Sequence, residues 1–429
     1  MRSILSVAIF AFSASAVSVP LFGQYATPPA APPPERYGAA QDSVVPAQAG
    51  PAPMCQAGIS KGARNALIAL QAAVVAKNSA AIPGLAAAAQ AVAKSADDKC
   101  FIAQMQMKAA VDANDVKGIA ATIAAQEASG AVPAATIAGL YESVGIMQYK
   151  AAAYSEAATS FERVLRLEPS RGSTVIMLAE TRTKQGRVAE ALPLYRKAIG
   201  IETAAGRKAD ENWYKRQVAV AYAAKSPLTY EIARDWVTAF PTANNWREAI
   251  VLYGEMSGTD DATMIDLYRL QRINRALVGN ADYARYAQIA LDRGFPGEAK
   301  GVLDEGFAAN AIDRNQPSLK ALHAQATAKS AGDRAALAAQ ARTALGGTQA
   351  KPIMVLGEAY FGYGDYAKAA ELFRAAQGKA GVDAELARLR LGMALAAAGD
   401  KAGASTLLRL VTGPRAEIAR YWLTHSAMR

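Results

Sequence analysis

The chain has 429 residues, the length of about three ordinary domains. It is 52% hydrophobic but only 7% aromatic; alanine supplies the difference and favours packed helices over strands. At 20% charged it is not a disordered polyampholyte, two cysteines and two histidines are too few for a zinc, haem or iron–sulfur centre, and a net charge of +10 favours anionic neighbours without calling for nucleic acid.

The first segment reads as an export signal. Arg2 is a short positive start, Ile4 to Val17 is an apolar and small-residue core, and Ala14-Ser15-Ala16 offers a cleavage site, giving a signal over 1–16 with a later cut near Gln24 as the alternative. The apolar run falls short of the about 20 residues a spanning helix needs, and no later run is long and apolar enough, so the mature chain is expected to carry no transmembrane segment. Residues 25–54 hold eight prolines between Pro28 and Pro53 among Ala, Gln, Gly and Ser, and read as a disordered linker.

From Cys55 onward the prolines fall between apolar runs of helical spacing. Residues 55–136 read as alanine-rich hairpins turning near Asn78-Ser79 and Asn114-Asp115. Cys55 lies before the first helix and Cys100 in the first turn of the third. An up-down-up stack puts both at one end, and export places them in an oxidising compartment, which predicts a Cys55–Cys100 disulfide contributing roughly 3 to 4.5 kcal/mol in the loop-entropy picture.

Residues 137–205 repeat themselves. Gly145, Ala157, Phe161 and Val164 recur 34 positions later as Ala179, Ala191, Tyr195 and Ala198; Gly186 marks the second turn and Pro169 closes the first unit. Residues 206–279 are less regular and carry the aromatics Trp213, Tyr214, Tyr222, Tyr230, Trp236, Phe240, Trp246, Tyr253 and Tyr268, to be read either as core or as a ligand-facing patch. In 280–429, Gly294, Ala299, Leu303 and Gly306 form a weak unit. Gly357, Tyr360, Gly364, Ala369, Phe373 and Ala376 recur 35 positions later as Gly392, Leu395, Gly399, Ala404, Leu408 and Val411, and a helix near Arg415 to His425 is expected to cap the stack.

Each recurring position has a physical role. A small residue on the first helix of a hairpin and an alanine on the second allow close approach. A glycine between them takes the left-handed conformation that ends the first helix, and a large residue on the second fills the space beside it. This pattern resembles the tetratricopeptide repeat (TPR) family, most closely over Gly357 to Phe373, then over Tyr154 to Phe161 and Gly186 to Tyr195. The early tryptophan of that family is missing from these units, with Trp213 as a stand-in in a divergent one. The resemblance implies an all-α fold, an α-solenoid of antiparallel helical hairpins whose first helices line a concave groove for a protein or peptide partner. The groove-facing positions are then Tyr149 and Lys150, Glu180, Thr183 and Lys184, and Met354, Glu358 and Phe361. Lys150 and Lys184 are equivalent positions that suit an acidic segment or are simply solvated. The family's carboxylate clamp also needs an asparagine on the first helix, and these units have none there.

No catalytic motif emerges. There is no phosphate-cradling glycine loop, no H-E-x-x-H and no G-x-S-x-G, His323 and His425 sit in helical runs without acidic or nucleophilic motifs beside them, and Asp260-Asp261 reads as charge at a helix start. The expectation is a non-enzymatic periplasmic or cell-envelope scaffold without cofactor or metal, working on protein or peptide partners. A module for an anionic envelope polymer such as peptidoglycan or lipopolysaccharide is the alternative, and an enzyme site within 206–279 is the third reading.

Overall fold

The computed structural model describes Cys55 and residues 58–428. The expected signal (1–16) and linker (25–54) lie outside the described residues. The fold is all-α, an α-solenoid of antiparallel hairpins: 21 α-helices follow one another among the described residues, with one isolated bridge between Gln349 and Ala380. In chain order they are α1 (Arg64–Val75), α2 (Ile82–Val92), α3 (Ala96–Asp112), α4 (Val116–Ser129), α5 (Ala134–Lys150), α6 (Tyr154–Leu167), α7 (Gly172–Lys184), α8 (Val188–Ala204), α9 (Glu211–Ala223), α10 (Thr229–Ala239), α11 (Ala243–Ser257), α12 (Asp261–Ile273), α13 (Gly279–Asp292), α14 (Pro296–Ala308), α15 (Pro317–Ser330), α16 (Asp333–Gly346), α17 (Ala350–Gly362), α18 (Tyr366–Ala376), α19 (Ala384–Ala398), α20 (Lys401–Leu408) and α21 (Ala416–Met428).

The hairpins close through contacts between small and large side chains. Gly145 on α5 lies under Phe161 of α6 so tightly that a Cβ would sit 2.7 Å from the ring; Gly357 meets Phe373 at 2.6 Å and Gly392 meets Leu408 at 2.6 Å. Ala157, Ala191, Tyr195, Ala198, Ala299, Ala369 and Ala404 are fully buried beside them, while Tyr360 is half-buried and Pro169 exposed beyond the end of α6. Gly364, at φ +80°, ends α17 in the left-handed conformation that a side chain would strain.

Two glycines on α5 therefore respond oppositely to alanine. Gly139 has open space around its Cβ position, so Gly139→Ala gains about 0.5–1 kcal/mol of helix propensity. Gly145→Ala pushes into Phe161 and is expected to cost about 1–3 kcal/mol. Guanidinium midpoints of the two variants against the parent check the opposite signs.

Ion pairs tie consecutive hairpins together at close to the repeat spacing. Glu127–Arg163 and Glu180–Arg216 are 36 residues apart, Arg247–Asp282 and Arg196–Glu231 35, Arg272–Glu305 33, and Glu358–Arg390 and Asp383–Arg415 32.

At the N-terminal end the expected disulfide is formed: Cys55 and Cys100 are bonded, with Cα atoms 5.7 Å apart. Beside it Asp98 is fully buried and fixes the entry to α3. Its carboxylate accepts from Ser60 N (2.9 Å) and Oγ (2.7 Å), Lys94 N (2.8 Å) and Ser95 N (3.0 Å), while Ser95 Oγ accepts from Asp98 N in a capping box. Burial works against the charge, but these donors outweigh it and hold the carboxyl far below its ordinary value of 3.8. The sign follows: a depressed folded-state pKa contributes stability above the unfolded value, and that stability is lost as pH falls toward the folded one. Thermal scans should show the parent losing stability progressively below about pH 4, whereas Asp98→Asn starts lower at neutral pH by about 1–3 kcal/mol and shows a smaller acid-dependent loss.

Candidate functional site

The positions expected to face a partner fall into two groups. Lys150 and Lys184, the last residues of α5 and α7, are exposed, and Thr183 is half-buried with its hydroxyl donating to Ala179 O at 3.0 Å. Tyr149, Glu180, Met354, Glu358 and Phe361 are buried. Tyr149 packs edge-on against Tyr154. Glu180 accepts from Tyr195 Oη at 2.7 Å and Arg216 Nε at 2.6 Å. These five side chains serve the packing between helices and are not presented to a ligand, which corrects the surface role expected of them.

Glu358 and Phe361 are covered because later helices meet earlier ones across the first-helix face. Three guanidiniums and three carboxylates, from four helices and the residue that caps α13, form one cluster. Arg269 of α12 grips Glu298 of α14 with two bonds, Nε to Oε1 at 2.9 Å and Nη2 to Oε2 at 2.7 Å, and reaches Asp266 at 3.2 Å and Glu358 of α17 at 3.6 Å. Arg390 of α19 pairs with Glu358 and lies 3.6 Å from Asp266, and Arg293, which caps the C-terminal end of α13, approaches Glu358 at 3.4 Å. Tyr286 Oη donates to Glu298 at 2.6 Å, and Phe361 lies 5.1 Å beneath the Arg269 guanidinium. The side chains of Asp266, Arg269, Glu298, Glu358 and Arg390 are at most 4% exposed. Burial pushes the Glu298 carboxyl up, but the Arg269 charge and the donors around it outweigh burial and hold it below its ordinary value. Burial and the Glu298 charge push the Tyr286 hydroxyl well up.

Two glycines make this meeting possible. A Cβ on Gly297 would fall 2.0 Å from the Tyr363 ring and one on Gly362 2.6 Å from Glu298 Cβ, so α14 and α17 touch where any side chain would part them.

The last helix adds a second closure. α21 rests on α20 as a cap does, but it also reaches α10, α11 and α12. Tyr421 and Trp422 are completely buried. Tyr421 Oη donates to Ala249 O at 3.1 Å, His425 Nδ1 lies 2.9 Å from Asn274 Oδ1, Glu417 pairs with Arg234, and Trp422 meets Phe361 edge-on at 6.1 Å. The aromatics of 206–279 join this core: Trp236, Trp246, Tyr253 and Tyr214 are buried, and Trp213, Tyr230 and Phe240 pack against them half-covered. His425 and His323 both have structural surroundings, the latter 2.7 Å from Asp304, which also takes Lys300. Asp260 caps α12 by accepting from Thr263 N at 2.9 Å.

Sequence reasoning missed the buried cluster. One signal was present: Glu180 and Glu358 each follow the small residue of a first helix and each pair with an arginine about one repeat downstream. The cross-closing partners Arg269 and Glu298 have no such repeat mark.

No family model matches the chain, and no curated protein matches it. Among solved structures it is similar to a tetratricopeptide repeat protein from Parabacteroides merdae, at 13% identity and a TM-score of 0.29, over 68% of this chain and 98% of that one.

Proposed function

We propose that this protein is a non-enzymatic scaffold of the cell envelope that takes an acidic peptide or protein segment along the first-helix face of the hairpins over 137–205. The observation that carries this reading is the pair Lys150 and Lys184, which occupy equivalent ends of α5 and α7 and are both exposed, whereas the corresponding face farther along the chain is filled by the chain itself. Export is supported by the sequence pattern of residues 1–16 and by the Cys55–Cys100 disulfide, a bond that persists in oxidising compartments. Among the described residues no helix is long and apolar enough to cross a membrane.

Both lysines end helices, where a cation also stabilises the last turn, so the test must separate binding from folding. Lys150→Glu combined with Lys184→Glu is expected to abolish capture of the partner in crosslinking from intact cells while leaving the helical circular dichroism intact. Unchanged capture refutes the groove assignment. The net charge of +10 keeps an anionic envelope polymer as the second reading; pelleting with isolated cell walls that collapses between low and physiological salt would favour it.

A further inference from the structure

We infer that the outward face of the α1–α2 hairpin is a self-association surface whose occupant is the same hairpin of a second copy. The first observation is one of charge. The end of a hairpin stack needs a polar outer face, yet in α1–α2, the first hairpin among the described residues, α2 holds no charged residue and α1 only Arg64. The second is the exposed apolar ridge. Ile68 and Val75, two turns apart on one stripe of α1, are 55% and 71% exposed, and Val111 at the end of α3 is 55% exposed.

The third observation is a slot beside that ridge. A cavity of about 620 Å³ opens between the α1–α2 turn and the α3–α4 turn, with a floor of Ala110, Gly118, Ala121 and Ala125. The alanines and the glycine of the α3–α4 wall leave room for branched side chains from outside, and Val74, Ile82 and Pro83 give the opposite wall an apolar surface for them. Val75 and Val111 stand at the end of the helices where the slot opens, with Ile68 two turns back along α1, and this meets the condition for an isologous pair: the Val75 end of the ridge of each copy enters the slot of the other about one two-fold axis. The rim supplies the matching charges, Lys77 on the α1 side and, on the α3–α4 side, Asp112, which also takes Lys108, and Asp115, which also caps α4; both carboxylates keep capacity to accept, and the two-fold brings the ammonium of each copy to those of the other. This self-complementarity selects a second copy over an unrelated helix. The Cys55–Cys100 bond sits at the far end of α3 from the slot and keeps the hairpin in place without blocking it.

A single hairpin end lies at the small end of specific interfaces, so the pair should dissociate with a constant on the order of micromolar. Sedimentation equilibrium of the exported chain with its disulfide intact tests this over about 1–100 µM. A monomer–dimer equilibrium is expected. Val75→Glu and Ala121→Trp, at exposed positions, should each weaken it about tenfold or more, whereas Val355→Glu, an exposed valine on α17, should not. Lys77→Glu should weaken the dimer and Asp112→Lys added to it should restore it, a reversal that a folding defect does not produce. A monomer at every concentration overturns the inference, whether the face is then covered by the chain's own N-terminal segment or by another protein, and so does a dimer indifferent to these substitutions.

Discussion

Replacing Glu298 by alanine is expected to lower stability by about 3–5 kcal/mol, because it leaves the Arg269 guanidinium charged and without its bidentate partner in a nearly dry site. The solvated pair Arg196–Glu231, whose side chains are about half exposed, gives the contrast: Glu231→Ala should cost at most about 1 kcal/mol. Each pair joins a helix to the next but one, α12 to α14 and α8 to α10, so the comparison turns on burial rather than on helix order. The network has a further consequence for cooperativity. A stack of hairpins is joined only neighbour to neighbour and can unfold in pieces. The cluster instead ties α12, α13 and α14 to α17 and α19, so Glu298→Ala should split denaturant unfolding into two transitions where the parent shows fewer. A loss no larger than that of Glu231→Ala would mean that the cluster does not hold these helices together.

How much of this was legible in the sequence depends on the range of the interaction. The close contacts of Gly145 with Phe161, Gly357 with Phe373 and Gly392 with Leu408 each span 16 residues within one hairpin, and a period-34 or period-35 comparison exposes them. The Cys55–Cys100 bond was legible for a similar reason, since helix alternation alone sets which ends are neighbours. The interior of the second half was not. Arg293 meets Glu358 across 65 residues, Arg272 meets the Gly362 carbonyl across 90, and Tyr421 meets Ala249 across 172, and no periodicity encodes such distances. Glu358 and Phe361 show the effect on the candidate site. Their place on the first helix fits the groove position inferred from the repeat pattern, but α19, α21 and the α12–α14 helices cover that position. Gly297 and Gly362 were the available hint, being glycines inside or at the end of helices with no turn to make.

Trp422→Ala should have the other large effect, about 3–5 kcal/mol, because the indole is fully enclosed between Phe361, His425 and the α19–α20 hairpin and leaves a cavity that rigid helix backbones cannot close. Its location makes the consequence regional. α21 is the element through which α20 touches α10 to α12, by way of Glu417 on Arg234 and Tyr421 on the Ala249 carbonyl. Loosening it should therefore speed hydrogen exchange in α10, α11 and α12, far away in sequence, while α1 to α6, which do not pack substantially against it, keep their protection. The same variant bears on the proposed partner surface. With α21 in place the inner face around Phe361 and Trp246 is occupied from within, whereas the lysines at the ends of α5 and α7, which the proposed function assigns to a partner, are exposed. If partner capture survives Trp422→Ala but is lost when Lys150 and Lys184 become glutamate, the two halves divide the work: one closes on its own C-terminal helix and the other stays available for binding.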